Sequence, residues 1–245
     1  MPRETLDARR LRAEAVVAKL AGHMPDAHIE LDYGTPLELL VAVILSAQCT
    51  DRRVNLVTPA LFRRYRTAAD YARATPAELE PFIQTCGLYR SKAKNIIAAG
   101  QLLVARHGGE VPRDRLSLEA LPGVGRKTAG VVSNHLGGEP AFPVDTHVGR
   151  LARRLGFSKQ AEPDKVEMDL TQLLPTPLWA QGHQLLVWHG RRTCFARNPA
   201  CDRCVVEALC RRRGVKARPV RAPKARSAPT PGVRPPRSRR PRGRP

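Results

Sequence analysis

The 245-residue sequence is short of aromatic residues, 4% in all, and has no acidic residue between Arg211 and Pro245. It also lacks a long apolar run. The longest, Leu39 to Leu45, falls far below the roughly 20 residues that a membrane-spanning helix needs. Met1 to Arg12 is charged throughout, without the apolar stretch or small-residue cleavage site of an export signal, which predicts a cytoplasmic protein with no membrane partner. Alternating strand patterns bounded by turn residues are missing, as is any repeat of fixed period, so neither a β architecture nor a repeat array is expected. In a reducing compartment, the six cysteines point to metal ligation or burial rather than to disulfides.

What is present is length enough for a proper core, 42% apolar residues and a net charge of +20. The charge is uneven. Residues 211–245 hold 14 of the 42 basic residues and eight prolines, so the body keeps 28 basic against all 22 acidic residues. Basic balance suggests a polyanionic partner without separating nucleic acid from anionic lipid. The tail, residues 211–245, reads as a disordered Arg/Pro-rich extension that could add salt-sensitive, sequence-blind DNA affinity. Before it, apolar spacing is helical throughout: Ala13, Val16, Val17 and Leu20; then Leu37, Leu40, Val41, Ile44 and Leu45; then Ala93, Ile96, Ile97, Gly100 and Val104; then Val166, Leu170, Leu173 and Leu174. Thr35-Pro36-Leu37-Glu38 and Thr75-Pro76-Ala77-Glu78 are capping-box starts. The fold class is all-α.

Leu116 to Leu136 reads LSLEALPGVGRKTAGVVSNHL: a short helix ending at Leu121, a tight Pro-Gly-Val-Gly turn, and a second helix from about Arg126. Two glycines permit positive φ, and the turn and helix N-terminus aim free N–H groups at the positive end of a helix dipole. That arrangement binds phosphate and positions a protein on DNA without reading sequence. Lys127 lies in the first turn, where the dipole disfavours an ammonium ion, so its amine is a candidate nucleophile for Schiff-base chemistry on a sugar carbon. Loss of a base from C1′ also needs a nearby negative charge. Asp145, in Pro143-Val144-Asp145-Thr146-His147, is the candidate, though an aspartate there could equally cap the next helix.

Cys194, Cys201, Cys204 and Cys210 are spaced C-x6-C-x2-C-x5-C. Four thiolates within 17 residues suit either zinc or a [4Fe-4S] cluster. Cys49 and Cys86 fall outside this pattern and read as buried thiols.

Four segments together resemble the endonuclease III-type DNA glycosylases, of the helix-hairpin-helix-GPD superfamily. They are LPGVGRKTA at 121–129, PVDTH at 143–147, LSAQCTD at 45–51 and GLYRSKA at 87–93. The cysteine spacing is likewise that family's cluster pattern, which selects a [4Fe-4S] cofactor over zinc. The resemblance covers about residues 30–210. It implies a two-lobed fold: a six-helix domain with the hairpin at 29–140, and a four-helix cluster domain from 1–28 and 141–210. It implies Lys127 as the Schiff-base nucleophile and Asp145 as its partner. DNA-binding positions would be Gln48, Leu88, Gly123, Val124, Gly125, Arg126, Thr128 and His147, with Gln48 and Leu88 plugging the gap left by a flipped nucleotide. Ser46 and Asp51 match positions lining the pocket. Packing is the ordinary alternative for Leu88, and a helix C-terminal hydrogen bond for Gln48.

The resemblance thus implies a monomeric, bifunctional base-excision enzyme acting on double-stranded DNA. It would remove oxidised pyrimidines and cut the strand 3′ to the abasic site by β-elimination. One departure stands out: the family's basic loop between the first two cysteines carries only Arg197 here, so Arg191 and Arg192 or the tail would have to compensate. An adenine-type monofunctional glycosylase fits less well, because it usually lacks a lysine at 127, needs a glutamate near residue 48 and carries a folded C-terminal domain. A non-catalytic helix-hairpin-helix DNA-binding or damage-sensing protein is the alternative from another class, and it would leave Lys127 dispensable.

Overall fold

The computed structural model describes residues 4–215, and these contain helices and loops but no strand. Eleven α-helices follow in chain order: α1 (Leu6–His23), α2 (Pro36–Ser46), α3 (Asp51–Arg64), α4 (Ala68–Arg73), α5 (Pro76–Ile83), α6 (Tyr89–His107), α7 (Arg115–Glu119), α8 (Arg126–His135), α9 (Thr146–Leu155), α10 (Pro163–Leu173) and α11 (Trp179–Arg192). Side-chain caps set many of the starts. Thr5, Thr35, Thr50, Thr67, Thr75, Asp114 and Asp145 each accept an N–H from the first turn that follows. Thr75 and Glu78 form the expected reciprocal box. At Thr35 the glutamate departs from it, because Glu38 Oε2 accepts from Gly34 N–H at 2.6 Å. Thr67 and Asp70 form a box that an aspartate in the third position had not signalled.

Two separate apolar cores result. One is built on Leu39, Leu45, Leu61, Tyr71, Ile83, Ile96 and Leu103 from α2 to α6, and closes over α8 through Ala129 and Val132. The other joins Val16 and Leu20 of α1 to Phe142, Leu151, Leu170, Leu185 and Trp188 of the C-terminal helices. Between residues 29 and 140 there are seven helical segments rather than six, since Asp114 caps the one-turn α7 ahead of the hairpin. Buried Glu167 of α10 ties the two halves, accepting from Arg115 at 3.2 Å and Arg126 at 2.9 Å.

Residues 211–215 belong to the body, contrary to the expected boundary. Arg213 N–H donates to Arg154 O at 3.1 Å, Arg211 pairs with Glu4 at 3.3 Å, and its stem packs on Gly156, whose missing Cβ leaves the room. The rest of the expected disordered tail, 216–245, lies outside the described residues. No described helix is long and apolar enough to cross a membrane.

Candidate active site and cluster centre

Helix α6 positions three features of one surface. Its N-cap is Leu88, held in the left-handed region at φ 58° and 59% exposed, which excludes a core-packing role. One turn in, Lys92 is buried and donates from Nζ to Leu45 O at 2.8 Å, holding the end of α2 and thereby the Gln48 turn. Gln48 is also left-handed, at φ 52°, and exposed. A Cβ on Gly87 would lie 3.1 Å from the Gln48 carbonyl, so the two turns touch. One turn further, Asn95 lies under the hairpin: a Cβ on Gly123 would meet it at 2.9 Å.

The hairpin turn is closed by Val124 N–H donating to Leu121 O at 3.0 Å, with Pro122 and Gly123 (φ 81°) at its corners. Val124 is buried and its N–H is already used, so the amides left free at this turn are those C-terminal to it. Gly125 offers α8 no side-chain cap, leaving the first-turn N–H groups of Arg126, Lys127 and Thr128 without intrahelical partners. Lys127 is exposed on this turn and Thr128 half-buried.

The loop 141–145 carries Asp145 and is clamped from both sides. On one side is α8, where a Cβ on Gly130 would sit 2.9 Å from Pro143 Cγ and 3.1 Å from Ala141 Cβ. On the other is α11, where buried His183 donates from Nδ1 to Pro143 O at 2.8 Å. A carbonyl only accepts, so the Nδ1 proton is assigned by this bond. Burial pushes the His183 pKa down to about 4; the Asp145 carboxylate opposes that shift and the Lys127 ammonium reinforces it. Both charges therefore act on one imidazole. Asp145 is also the cap of α9, its Oδ1 accepting from Val148 N–H at 2.8 Å. The capping reading of that residue is therefore met by the structure.

At the C-terminal end, Cys194, Cys201, Cys204 and Cys210 line one pocket with Leu151, Leu155 and Val206. Arg154 donates to Cys194 Sγ at 3.2 Å and to the carbonyls of Phe195 and Ala196; Arg150 holds the carbonyls of Gly190 and Cys194. Burial raises the pKa of Cys204 and Cys210, a penalty that metal ligation of the thiolates offsets. Among the described residues, no three His, Cys, Asp or Glu side chains converge on a single-ion site. Four thiols lining one pocket, with the Arg154 guanidinium beside Cys194, fit the four-thiolate ligation of an iron–sulfur cluster.

Residues 41–176 match the family model for HhH-GPD superfamily base excision DNA repair proteins, and residues 194–210 match the iron-sulfur binding domain of endonuclease III. Endonuclease III of Synechocystis sp. is 47% identical over 204 residues, covering 83% of this chain and 93% of the relative. The chain belongs to the endonuclease III family. The Escherichia coli K12 endonuclease III is 43% identical over 203 residues, covering 83% and 95%. A solved trapped endonuclease III–DNA covalent intermediate superposes with a TM-score of 0.79 at 45% identity, covering 83% of this chain and 96% of that one. As a family member this is a base-excision DNA glycosylase with AP lyase activity that binds DNA and carries a [4Fe-4S] cluster.

The structure of this endonuclease III-family chain gives several expected site residues partners within the fold. Arg126 reaches across to Asp164 and Glu167 of α10. Asp51 pairs with Arg191 at 2.7 Å, and Ser46 Oγ donates to Val43 O at 2.9 Å. His147 packs half-buried against Gly190, with Nδ1 beside Arg150 at 3.1 Å. Arg191 and Arg192 both bond to Glu30, and Arg192 stacks on Trp188 at 3.5 Å, so they are engaged within the fold rather than free to replace a basic cluster loop. Cys86 is buried as expected, but Cys49 is only half-buried. Sequence reasoning missed His183, Lys92, Arg150 and Arg154. Lys92 alone carried a signal, four residues before Ile96 on the apolar stripe.

Proposed function

We propose that this enzyme acts as a monomer in the cytoplasm on duplex DNA containing oxidised pyrimidines or abasic sites, with Lys127 as nucleophile and Asp145 as its electrostatic partner. The hairpin amides after Val124 grip a phosphate, which sets the register of the duplex without reading bases. Gln48 and Leu88, exposed on touching turns, enter the stack as the damaged nucleotide is extruded; an apolar plug offsets part of the lost stacking. The Asp145 carboxylate stabilises positive charge at C1′ as the base leaves. The Lys127 amine forms the new C–N bond at C1′, the departing base takes up a proton, and loss of the ring oxygen from C1′ gives an imine. Removal of a C2′ proton then expels the 3′ phosphate, and water releases the sugar from Lys127. The bound cluster would supply Fe–S bonds that staple residues 194–210, a segment with no helix longer than a single 3-10 turn.

The observation that carries this reading is the clamp on residues 141–145. Gly130, three residues beyond Lys127 on α8, and His183 grip the same loop from opposite sides, and both reactive charges act on that histidine. The test is borohydride trapping on duplexes containing thymine glycol or an abasic site. A covalent adduct should form with the wild type and vanish with Lys127→Ala; trapping retained by that variant refutes the nucleophile assignment and favours a protein that only grips DNA.

A further inference from the structure

Cys49 and Cys86 have no part in the site described above, yet they bracket its two probing residues. Cys49 directly follows Gln48, and Cys86 lies two residues before Leu88. The turns that carry them touch at Gly87 and the Gln48 carbonyl, and Cys49 is among the groups that act on the Cys86 thiol. Neither is in a disulfide. Lys92, only 4% exposed, places its charge beside both sulfurs while it holds Leu45 O. A structural core thiol ordinarily sits among apolar side chains. Here two thiols lie on touching turns beside a buried cation, and Cys49 is within reach of solvent.

We propose that Cys49 and Cys86 are a dithiol modification site, oxidised by a hydroperoxide to a disulfide that ties the Gln48 turn to the Leu88 turn and weakens DNA engagement. Cys49, the accessible sulfur, attacks the peroxide: the O–O bond breaks, Cys49 becomes a sulfenic acid and one oxygen leaves as water or an alcohol. The Cys86 sulfur then displaces the hydroxyl from Cys49, forming the S–S bond and releasing a second oxygen as water. The two thiols supply both electrons and both protons that reduce the peroxide. Burial, which pushes the Cys86 pKa up to about 11, suits it to this second, resolving step rather than to first attack. An S–S bond of about 2.0 Å is far shorter than any thiol–thiol contact, so bonding draws the turns together and denies them independent movement around a base step.

The linkage itself is independent of the DNA-probing reading of Gln48 and Leu88; its effect on binding rests on that reading. The test uses the full-length, cluster-loaded enzyme, titrated with hydrogen peroxide while the cluster's visible absorbance is followed. Non-reducing peptide mapping should find a 49–86 linked peptide in the wild type and none in Cys49→Ser or Cys86→Ser. Affinity for a duplex with an abasic-site analogue should fall by about tenfold or more, as expected when few molecules keep the binding-competent turns. Dithiothreitol should restore it, and both serine variants should keep their affinity in peroxide. The proposal is overturned if no linked peptide forms before cluster absorbance declines, or if the linked enzyme binds as tightly as the reduced one. Leu88→Ala in reduced enzyme separates the two ideas: unchanged affinity there refutes the probing role, whatever the peptide map shows.

Discussion

Asp145 caps α9 and, in the proposed reaction, also supplies a negative charge, two jobs that substitution can separate. Its Oδ1 accepts the Val148 N–H at 2.8 Å and so caps α9, while its charge faces the same histidine as Lys127. Asparagine caps a helix about as well as aspartate, so Asp145→Asn keeps the cap and removes the charge. Only the small charge–dipole benefit is lost with it, about 0.3–1 kcal/mol. Removing one preorganised electrostatic partner of a developing charge slows reactions by about 100- to 1,000-fold, or roughly 3–4 kcal/mol. Alanine loses both roles, and the missing cap costs a further ~1 kcal/mol. In a domain of this size that lowers the thermal midpoint by about 2–4 °C. Single-turnover release of thymine glycol should therefore fall about equally in the two variants, with duplex affinity little changed. The thermal midpoint of the holoenzyme should drop clearly in the alanine variant and little in the asparagine variant. An asparagine variant that releases base within a few-fold of wild type would falsify the electrostatic role and leave Asp145 a cap alone.

Gly130→Ala forces a methyl against Pro143 and Ala141, and overpacking of this kind costs about 1–3 kcal/mol; trapping rate should fall more than DNA affinity, and equal losses would argue against the clamp. The buried, neutral His183, with its pKa near 4 against an ordinary 6.5, excludes a proton that the unfolded chain accepts. Its contribution is complete above pH 6.5, and up to about 3 kcal/mol is lost as pH falls toward 4. His183→Gln should flatten the acid slope of the thermal midpoint; an unchanged slope would place the acid sensitivity elsewhere. Lys92→Met leaves Leu45 O unpaired, at about 1–3 kcal/mol, and faster amide exchange in the Gln48 turn is the expected signature. Oxidative removal of iron should open residues 194–210 to protease while α2–α6 stay protected, and uniform protection would show that the cluster is not the staple.

The helical class, the hairpin and the cysteine spacing were legible because each is local. An apolar period of 3.6, a Pro-Gly turn before a helix and four thiols in one short segment carry their meaning within a few residues. Leu88 and Gln48 were legible only as matches to a motif; their exposure and left-handed backbone came from the fold. Arg126, Asp51, Arg191 and Arg192 are charged residues whose ion-pair partners lie far away in the chain. Asp51 and Arg191 are separated by 140 positions, and Arg126 and Glu167 by 41. Nothing in a local pattern distinguishes an arginine awaiting phosphate from one that holds a carboxylate across the junction.

Sequence alone determined the helical class, the starts at Thr35 and Thr75 and the chemical types available to the site, because backbone geometry and donor identity are properties of near neighbours. Only tertiary structure decided that Gly130 and His183 meet at Pro143, that Lys92 turns inward to Leu45, and that Arg154 holds the cluster loop. Each is a contact between distant segments, set by how two apolar cores pack, and packing is a property of the whole chain.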